Sequence, residues 1–281
     1  ETLSTKRIEV NMIRFSGPDL QHLDNRLMNL SLVKQSLTDA VLFGADGGVV
    51  HIGDELFHKP VLVQRGTFRP ITSWNVEILN KVIEQFKRHP LVNDKKPKVL
   101  FELTMNSLTH DDGEINDEDF LHRVDTLCAL GHEVLVSRFE LFYQLKFFLR
   151  QYTDQALGLV VGAAVLPKLF DENFYRGLDG GILEGMSRLF DEKTRIFVYP
   201  NKDETLCQTA QTFFPPVHLT HLFKHLTSNE WITDILKCED VDTSIHSKQL
   251  HEMLVRGDAQ WKQLVPQKVR ELIESRQLFG Y

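Results

Sequence analysis

Apolar positions follow two patterns along this chain, short continuous runs and longer segments with helical spacing. The short runs predict strands at 7–15, 39–44, 48–52, 60–65, 98–104, 132–137, 157–162 and 195–199. Helical spacing predicts helices at 74–88, 118–130 and 140–152. The first of these helices carries one apolar face, made of Trp74, Ile78, Leu79, Val82, Ile83 and Phe86. Strands that alternate with helices favour an α/β fold with a mostly parallel sheet.

Changes in this pattern divide the chain into three regions. Residues 1–59 predict an N-terminal αβ extension of strand, helix and hairpin, in which Asp46-Gly47-Gly48 suits the hairpin turn. Residues 60–215 form the predicted core. Pro215-Pro216 then marks a break before a C-terminal helical region, 216–281, which completes the core.

Charge and cysteine content narrow the class of protein. The 281 residues carry a formal net charge of -7, which disfavours nucleic acid and anionic membranes as partners. The longest apolar run, 156–167, is too short to cross a bilayer, and the first ten residues lack the order of a signal peptide. The three cysteines are odd in number and far apart, which predicts neither disulfides nor a zinc site and favours a cytoplasmic location.

Four polar motifs are interpreted as structural. The stretch 51–54, HIGD, lies in a predicted hairpin, so we do not assign it to a nucleotide site. The acidic stretch 109–120 lacks the carboxylates of a calcium loop and predicts a helix start at Asp117, Glu118 and Asp119. His218, His221 and His225 share a helical face and are assigned to its rim, so no metal site is predicted. The glycine-rich stretch 177–185 is not followed by Lys-Ser/Thr and predicts a helix start.

The stretch 65–75, RGTFRPITSWN, is the strongest candidate for chemistry. It joins an apolar strand to a helix, and such a turn is the usual anion site of α/β proteins because unpaired backbone N–H groups and the helix dipole point outward. Gly66 allows the backbone to approach a phosphate, and Thr67 adds a hydroxyl. The alternative is that Gly66 and Pro70 only form a sharp turn.

The turn resembles the G-T-F-D-P-x-H-x-G-H motif of the nicotinate-nucleotide and nicotinamide-nucleotide adenylyltransferases, which join ATP to a pyridine mononucleotide. Gly66, Thr67, Phe68 and Pro70 match. The two family histidines, which stabilise charge on the ATP phosphates, correspond to Thr72 and Asn75. The resemblance therefore implies that these two residues occupy degenerate catalytic positions and donate hydrogen bonds to phosphates. The family's aspartate is replaced by Arg69, and the glycine before its second histidine by Trp74.

A second match lies downstream, in the stretch 244–281, which resembles the family's closing I-S-S-T-x-x-R and L-V-P-x-x-V segments. The matching positions are Ile245, Ser247, Leu250, Gly257, Leu264, Val265, Pro266, Val269, Ile273 and Leu278. His246, Lys248 and His251 replace the family's serine, threonine and arginine. The resemblance implies that Ser247, Lys248 and His251 face a phosphate.

A third match, at the end of the predicted strand 157–162, completes the resemblance over residues 60–281. Val161, Gly162 and Ala163 match the family's I-G-A-D, which places Gly162 at the nucleotide, while Ala164 replaces the aspartate. The implied fold is a Rossmann-like nucleotidyltransferase fold, in which the turn 66–75 and the helix start at 245–251 face each other at the sheet's carboxyl edge.

Three functions follow from these resemblances. The first is slow adenylyl transfer from ATP, accompanied by Mg2+, to a pyridine mononucleotide, since neutral donors stabilise developing charge less than imidazolium does. The second is a non-catalytic nucleotide sensor or scaffold that binds ATP, the mononucleotide or the dinucleotide. Trp74 favours it, because an indole where the family has bare backbone would obstruct a phosphate. The third is a changed reaction on another phosphorylated substrate.

Overall fold

A computed structural model describes residues 10–92, 95–110, 113–202, 206–241 and 247–281, without the side chains of Ser247 and Lys248. Its strands are β1 Ala40–Phe43, β2 Val49–Val50, β3 Val61–Arg65, β4 Lys98–Thr104, β5 Glu133–Ser137, β6 Leu157–Gly162, β7 Thr194–Tyr199, β8 Asn201–Lys202, β9 Cys207–Gln208 and β10 Ile232–Asp234. Its α-helices are α1 Asn25–Lys34, α2 Ile52–Leu56, α3 Ser73–Arg88, α4 Met105–Leu108, α5 Asp117–Cys128, α6 Phe142–Leu149, α7 Leu166–Leu169, α8 Gly181–Leu189, α9 Thr220–Ser228, α10 Ser247–Val255, α11 Trp261–Leu264 and α12 Gln267–Arg276.

Eight strands form one sheet in the order β10-β7-β6-β3-β4-β5-β1-β2. All neighbours from β10 to β5 are parallel, whereas β1 and β2 join the edge antiparallel. Counted along the chain, the six parallel strands have the order 3-2-1-4-5-6, which is that of the Rossmann fold. The predicted α/β, Rossmann-like fold with a mostly parallel sheet is confirmed. In this order the connections reverse direction between β3 and β6, where such sheets open a crevice at their carboxyl edge.

Two apolar layers enclose the sheet because side chains alternate along each strand. Leu62 and Val160 face one layer, built with α1, α3, α5 and the C-terminal helices α10 to α12. Val61 and Leu159 face the other layer, built with α2, α6, α7, α8 and α9. Gly158 allows close packing between neighbouring strands, since a Cβ there would lie 2.6 Å from Leu62 Cδ1. The C-terminal helices therefore pack beside the helices that flank the turn after β3.

The N-terminal segment differs from the prediction. Residues 10–15 form no strand, and residues 7–9 lie outside the described part of the chain. The side-chain amide of Asn29 bonds both the N–H and the carbonyl of Ile13, at 3.0 and 2.6 Å, and Asn25 does the same for Phe15. These amides satisfy the backbone groups that a neighbouring strand would otherwise bind, so the apolar pattern alone gave the wrong element.

The stretch 51–54 also differs from the prediction. The hairpin ends at Val50, and His51 is the residue that precedes α2, so HIGD does lie at a strand-to-helix junction. That junction follows β2, at the sheet edge farthest from the crevice between β3 and β6. HIGD is therefore separated from the candidate site by its position in the strand order. The predicted reason, that it lies within a hairpin, is wrong.

The cysteines do not follow the prediction that the sequence lacks disulfides. Cys207 and Cys238, 31 residues apart, form a disulfide, whereas Cys128 is free and buried. Sequence spacing failed because the two residues meet only after the chain has passed through α9 and β10. The cysteine count therefore no longer supports a reducing compartment. No helix in the described ranges is both long and apolar enough to cross a membrane.

Candidate functional site

The turn 66–75 leaves β3 at the crevice and is fixed by backbone contacts. The Gly66 N–H donates to the carbonyl of Glu102, at the neighbouring strand β4, over 3.2 Å. Arg123, on α5, donates from Nη1 to the carbonyls of Thr67 and Ser107 over 3.2 and 2.7 Å. The turn is therefore held by a hydrogen bond to the sheet on one side and by the buried Arg123 guanidinium on the other.

Gly66 and Phe68 are packed against each other. Phe68 has a left-handed backbone, with φ of 45°, and its buried ring lies 5.1 Å from the ring of Phe101, centroid to centroid. A Cβ added to Gly66 would lie 2.6 Å from Phe68 Cζ. The missing side chain of Gly66 thus makes room for an aromatic ring, and Phe68 contributes its side chain to the core.

Thr72 and Asn75, which the resemblance predicts to face phosphates, cap the helix α3. The Thr72 hydroxyl and backbone N–H both donate to Asn75 Oδ1, at 2.8 and 3.1 Å, and the Asn75 N–H donates to Thr72 Oγ1 at 3.1 Å. This reciprocal arrangement is a capping box. It occupies the Thr72 hydroxyl, while Asn75 Nδ2 makes no hydrogen bond to any described residue and stays available as a donor.

Trp74 lies half-buried in the same helix turn and packs against the core on the α3 face. The atoms nearest to the Gly66 Cβ position all belong to Phe68, so the indole is not what fills that space. Its Nε1 is buried and has no hydrogen-bond partner among the described residues. The turn therefore ends in a buried donor that its surroundings leave unsatisfied.

Arg69, in the turn after β3, belongs to an ion-pair cluster. Its Nε donates to Asp119 Oδ1 at 2.5 Å, and Arg123 Nε donates to Asp119 Oδ2 at 2.7 Å. Burial is the main cause that lowers the pKa of Arg123, whose guanidinium is almost fully enclosed. Two guanidinium groups share one carboxylate, so the cluster carries an excess of positive charge.

Two histidines border this cluster. His110 follows β4, and its Nε2 lies 3.6 Å from Asp119 Oδ2, beyond hydrogen-bond distance. His251 lies on α10, and its pKa is lowered first by burial and then by the positive charge of Arg69. His110 Nε2 and His251 Nδ1 are both buried, and neither has a hydrogen-bond partner among the described residues. We call these five residues, Arg69, His110, Asp119, Arg123 and His251, the imidazole cluster.

The other predicted site residues lie at separate places around the crevice, and some of their side chains are not described. Gly162 ends β6, across the crevice from the turn, and a Cβ there would lie 3.1 Å from the Tyr199 ring. Thr67 offers its carbonyl to Arg123. Ser247 and Lys248 begin α10, but their side chains, like residues 245 and 246, lie outside the described part of the structure. Of the predicted phosphate-facing residues, His251 is the one whose charged neighbours are seen, and they include Arg69 of the turn.

A second polar element lies at the carboxyl ends of β3, β4 and β5. Arg65 donates to both carboxylate oxygens of the fully buried Glu102, at 2.7 and 3.0 Å, and Ser137 donates to Glu102 at 2.7 Å. The Arg65 guanidinium also lies 4.2 Å above the ring of Phe142. This network fixes three strand ends beside the crevice.

Beside Arg65 the α6 face holds a cavity of about 240 Å³, which we call the aromatic cavity. Its lining combines rings with a few polar groups: Arg65, Thr104, Asn106, Phe139, Glu140, Leu141, Phe142, Val165, Lys168, Leu169, Phe174 and Tyr175. The Tyr175 hydroxyl donates to the Leu169 carbonyl at 2.8 Å, and burial raises the pKa of that hydroxyl. Rings with a few charged groups, Arg65, Glu140 and Lys168, suit a flat ligand that carries polar groups.

The donor atoms of the described residues do not make a protein cage for a metal, since no group of three or more histidine, cysteine or carboxylate side chains converges there. Asp119, the carboxylate nearest the turn, is already bound by two arginines. His218 contacts Glu172 at 2.8 Å at the start of the α9 segment.

Sequence reasoning missed His110, Asp119 and Arg123. Asp119 was assigned only to a helix start, which it does occupy, after the N-cap Asn116. The available signal was topological, since His110 follows the strand next to β3, and the carboxyl ends of parallel strands share one edge. Only the fold shows that α5 brings its Asp119 and Arg123 back against the turn.

Comparisons with known proteins leave the family open. No protein-family model and no curated protein matches this chain. Among solved structures, Plasmodium falciparum nicotinic acid mononucleotide adenylyltransferase complexed with APC overlaps 80% of this chain and 98% of its own, at 14% identity and a TM-score of 0.45. The same enzyme complexed with NaAD overlaps 80% of this chain and 98% of its own, at 13% identity and a TM-score of 0.43. Because both TM-scores are below 0.5, the Rossmann-like assignment rests on the strand order.

Proposed function

We propose that this protein binds a nucleotide at the carboxyl edge of its sheet, with the phosphates between the turn 66–75 and α10. The observation that carries this proposal is a pair of buried nitrogens, His110 Nε2 and His251 Nδ1, that make no hydrogen bond to a described residue and lie beside the arginines of the imidazole cluster. A buried polar nitrogen without a partner is costly, and a phosphate oxygen would satisfy it. The position agrees with the crevice that this strand order opens.

The charges of the cluster explain how a phosphate would be held. Arg69 and Arg123 outnumber Asp119, so the cluster attracts an anion even with both histidines neutral. A bound phosphate would favour the protonated imidazole of His251 and would raise the pKa of His251 from its lowered value. Nucleotide affinity should therefore rise as the pH falls from about 7.5 to 6, across the ordinary range of histidine.

Nucleotide binding without turnover is the function this geometry supports best. The Thr72 hydroxyl is occupied by the capping box, so Asn75 Nδ2 is the one side-chain donor that the pair of degenerate positions still offers. A neutral amide stabilises the charge of a departing pyrophosphate less than an imidazolium does. The role is that of a nucleotide sensor or scaffold on a nucleotidyltransferase-like fold.

A second candidate is adenylyl transfer to a pyridine mononucleotide, and the aromatic cavity favours it. The cavity opens at the same sheet edge as the turn, and its rings and Lys168 suit an aromatic ring that carries a phosphate. Arg65, fixed by Glu102, would orient that ligand. In this candidate the nucleotide and the mononucleotide approach each other across the end of β3.

Calorimetric titration tests both candidates. ATP, nicotinate mononucleotide and the dinucleotide are each titrated into the protein, and pyrophosphate release is followed in parallel. His110→Leu and His251→Leu should each weaken nucleotide binding about tenfold, the value of one charge-assisted hydrogen bond of about 1.4 kcal/mol. His221→Leu, on the exposed side of α9, is the matched control.

The outcomes separate the candidates. Binding without pyrophosphate release supports the sensor, and release with the mononucleotide present supports the transferase. If none of the three ligands binds, both candidates fail. If ligands bind but the two cluster variants match the control, the phosphate site lies elsewhere.

A further inference from the structure

A disulfide connects the sheet to the segment that leads into the C-terminal helices. Cys207 lies in β9, half of the small hairpin β8–β9 that follows β7, with Lys202 opposite Cys207. Cys238 starts a short 3-10 helix, Cys238–Asp240, directly after β10. The bond closes a loop that contains all of α9 and β10. It therefore joins two segments that share no strand pairing.

Hydrogen bonds also join the same two segments. The backbone N–H groups of Ala210 and Gln211 donate to the Asp234 carboxylate, at 2.7 and 3.1 Å. Lys202 Nζ donates to the carbonyl of Val241. The hairpin itself contributes only the pairs Asn201↔Gln208 and Lys202↔Cys207.

Along the chain, the junction lies between two elements of the candidate site. Upstream of the hairpin, Tyr199 ends β7 and packs against Gly162, on one wall of the crevice. Downstream of Cys238, residues 242–246 lead to α10, which carries His251 on the other wall.

We propose that the Cys207–Cys238 disulfide is a reducible tether that holds the C-terminal helices in position over the sheet edge. A dithiol reductant transfers two electrons and two protons to the S–S bond, which yields two cysteine thiols while the reductant closes its own disulfide. Both cysteines are only half-buried, so a small dithiol reaches them. Reduction loosens residues 234–241 and α10. Reduction also weakens phosphate binding, a consequence that rests on the proposed function.

Cys128 supplies the matched control. It is buried, its Sγ donates to the Gly44 carbonyl at 3.3 Å, and burial raises its pKa to about 12. A thiol with so high a pKa is unreactive toward disulfides at neutral pH. A serine in its place keeps a donor for Gly44 and leaves the tether intact.

Peptide mapping and hydrogen–deuterium exchange test the tether without any ligand. The protein purified without reductant should give a Cys207–Cys238 linked peptide. Addition of dithiothreitol should speed amide exchange about tenfold or more in residues 234–241 and in α10, the range expected for local opening. The double variant Cys207→Ser/Cys238→Ser should exchange at the fast rate with or without dithiothreitol, and Cys128→Ser should behave as the wild type in both conditions.

Two results overturn the proposal. One is a peptide map in which both Cys207 and Cys238 are alkylated before reduction. The other is exchange in 234–241 and α10 that is unchanged by reduction, or that speeds up equally in Cys128→Ser without reductant. Neither readout needs a nucleotide, so a failed ligand titration removes the proposed function and leaves this test standing.

Discussion

Arg123 is the side chain on which the geometry of the turn after β3 depends most. It reaches two backbone carbonyls, of Thr67 and Ser107, and shares the carboxylate of Asp119 with Arg69. It is almost fully buried, so its charge is compensated only by these partners. An apolar pattern predicts the helix that carries Arg123 but says nothing of the carbonyls the guanidinium will meet, because those come from other elements.

Replacement of Arg123 tests this role. Arg123→Met should lower the free energy of unfolding by about 3 to 5 kcal/mol, because it leaves the Asp119 carboxylate buried with one partner fewer and two carbonyls unpaired. Arg276→Met is the matched control, since Arg276 pairs with Asp125 at an exposed site and should cost about 0 to 1 kcal/mol. Urea denaturation measures both values. Equal losses in the two variants would contradict the clamping role of Arg123.

At the scale of elements, the sequence predicts where helices, strands and turns lie better than it predicts the roles of single residues within them. The apolar pattern predicts the turn 65–75, the helix α3 and the strands β4 and β6. The predicted bounds of β4 and β6 match the structure residue for residue. The role of Gly66 could not be predicted from the sequence. The ring that fills its empty Cβ position belongs to Phe68, and no apolar pattern indicates the left-handed backbone of Phe68. Thr72 and Asn75 align with the two histidines of the motif that the turn resembles, and in the structure they form a capping box.

A substitution at Gly66 tests whether packing requires this glycine. Gly66→Ala should cost about 1 to 3 kcal/mol of stability, because the new methyl would meet the enclosed ring of Phe68. In the double variant with Phe68→Leu, the two costs should fail to add by about 0.5 kcal/mol or more, as expected for residues in contact.

The control for that substitution is Gly177→Ala. A Cβ at Gly177 meets no atom within 4 Å, and the change should stay within about 0.5 kcal/mol. Thermal unfolding of the wild type, Gly66→Ala, Phe68→Leu, the double variant and Gly177→Ala measures these differences. If the costs of Gly66→Ala and Phe68→Leu simply add, the ring does not explain the glycine.

At the scale of the whole molecule, the largest departures from the sequence prediction arise where distant segments meet. The strand β10 has three residues, too few for a periodic pattern, and it joins the sheet only because β7 offers a free edge. The Cys207–Cys238 disulfide depends on the same return of the chain. The C-terminal helices pack against α3 and α5, which brings His251 to the turn. Local patterns predict elements, whereas these contacts depend on the tertiary path.

The pH dependence of stability sums contributions from across the molecule, and its direction can be predicted. Burial lowers the pKa of His89, His132 and His251 below the ordinary 6.5, so folding favours their neutral forms. A group with a depressed pKa stabilises the fold above its unfolded pKa and loses that contribution as the pH falls. The free energy of unfolding should therefore decrease from pH 7 toward pH 5.

A second decrease should follow below about pH 4, because hydrogen bonds and arginines lower the pKa values of Asp24 and Asp191 from the ordinary 3.8. Glu133 acts in the opposite direction, since burial raises its pKa and its contribution is lost as the pH rises. Urea denaturation at pH 7, 6 and 5 should show a shallower slope for His251→Gln than for the wild type, with exposed His221→Gln as control. A slope in His251→Gln equal to that of the wild type would mean that burial of His251 does not limit its protonation, and the unpartnered Nδ1 would then lose its place in the phosphate site.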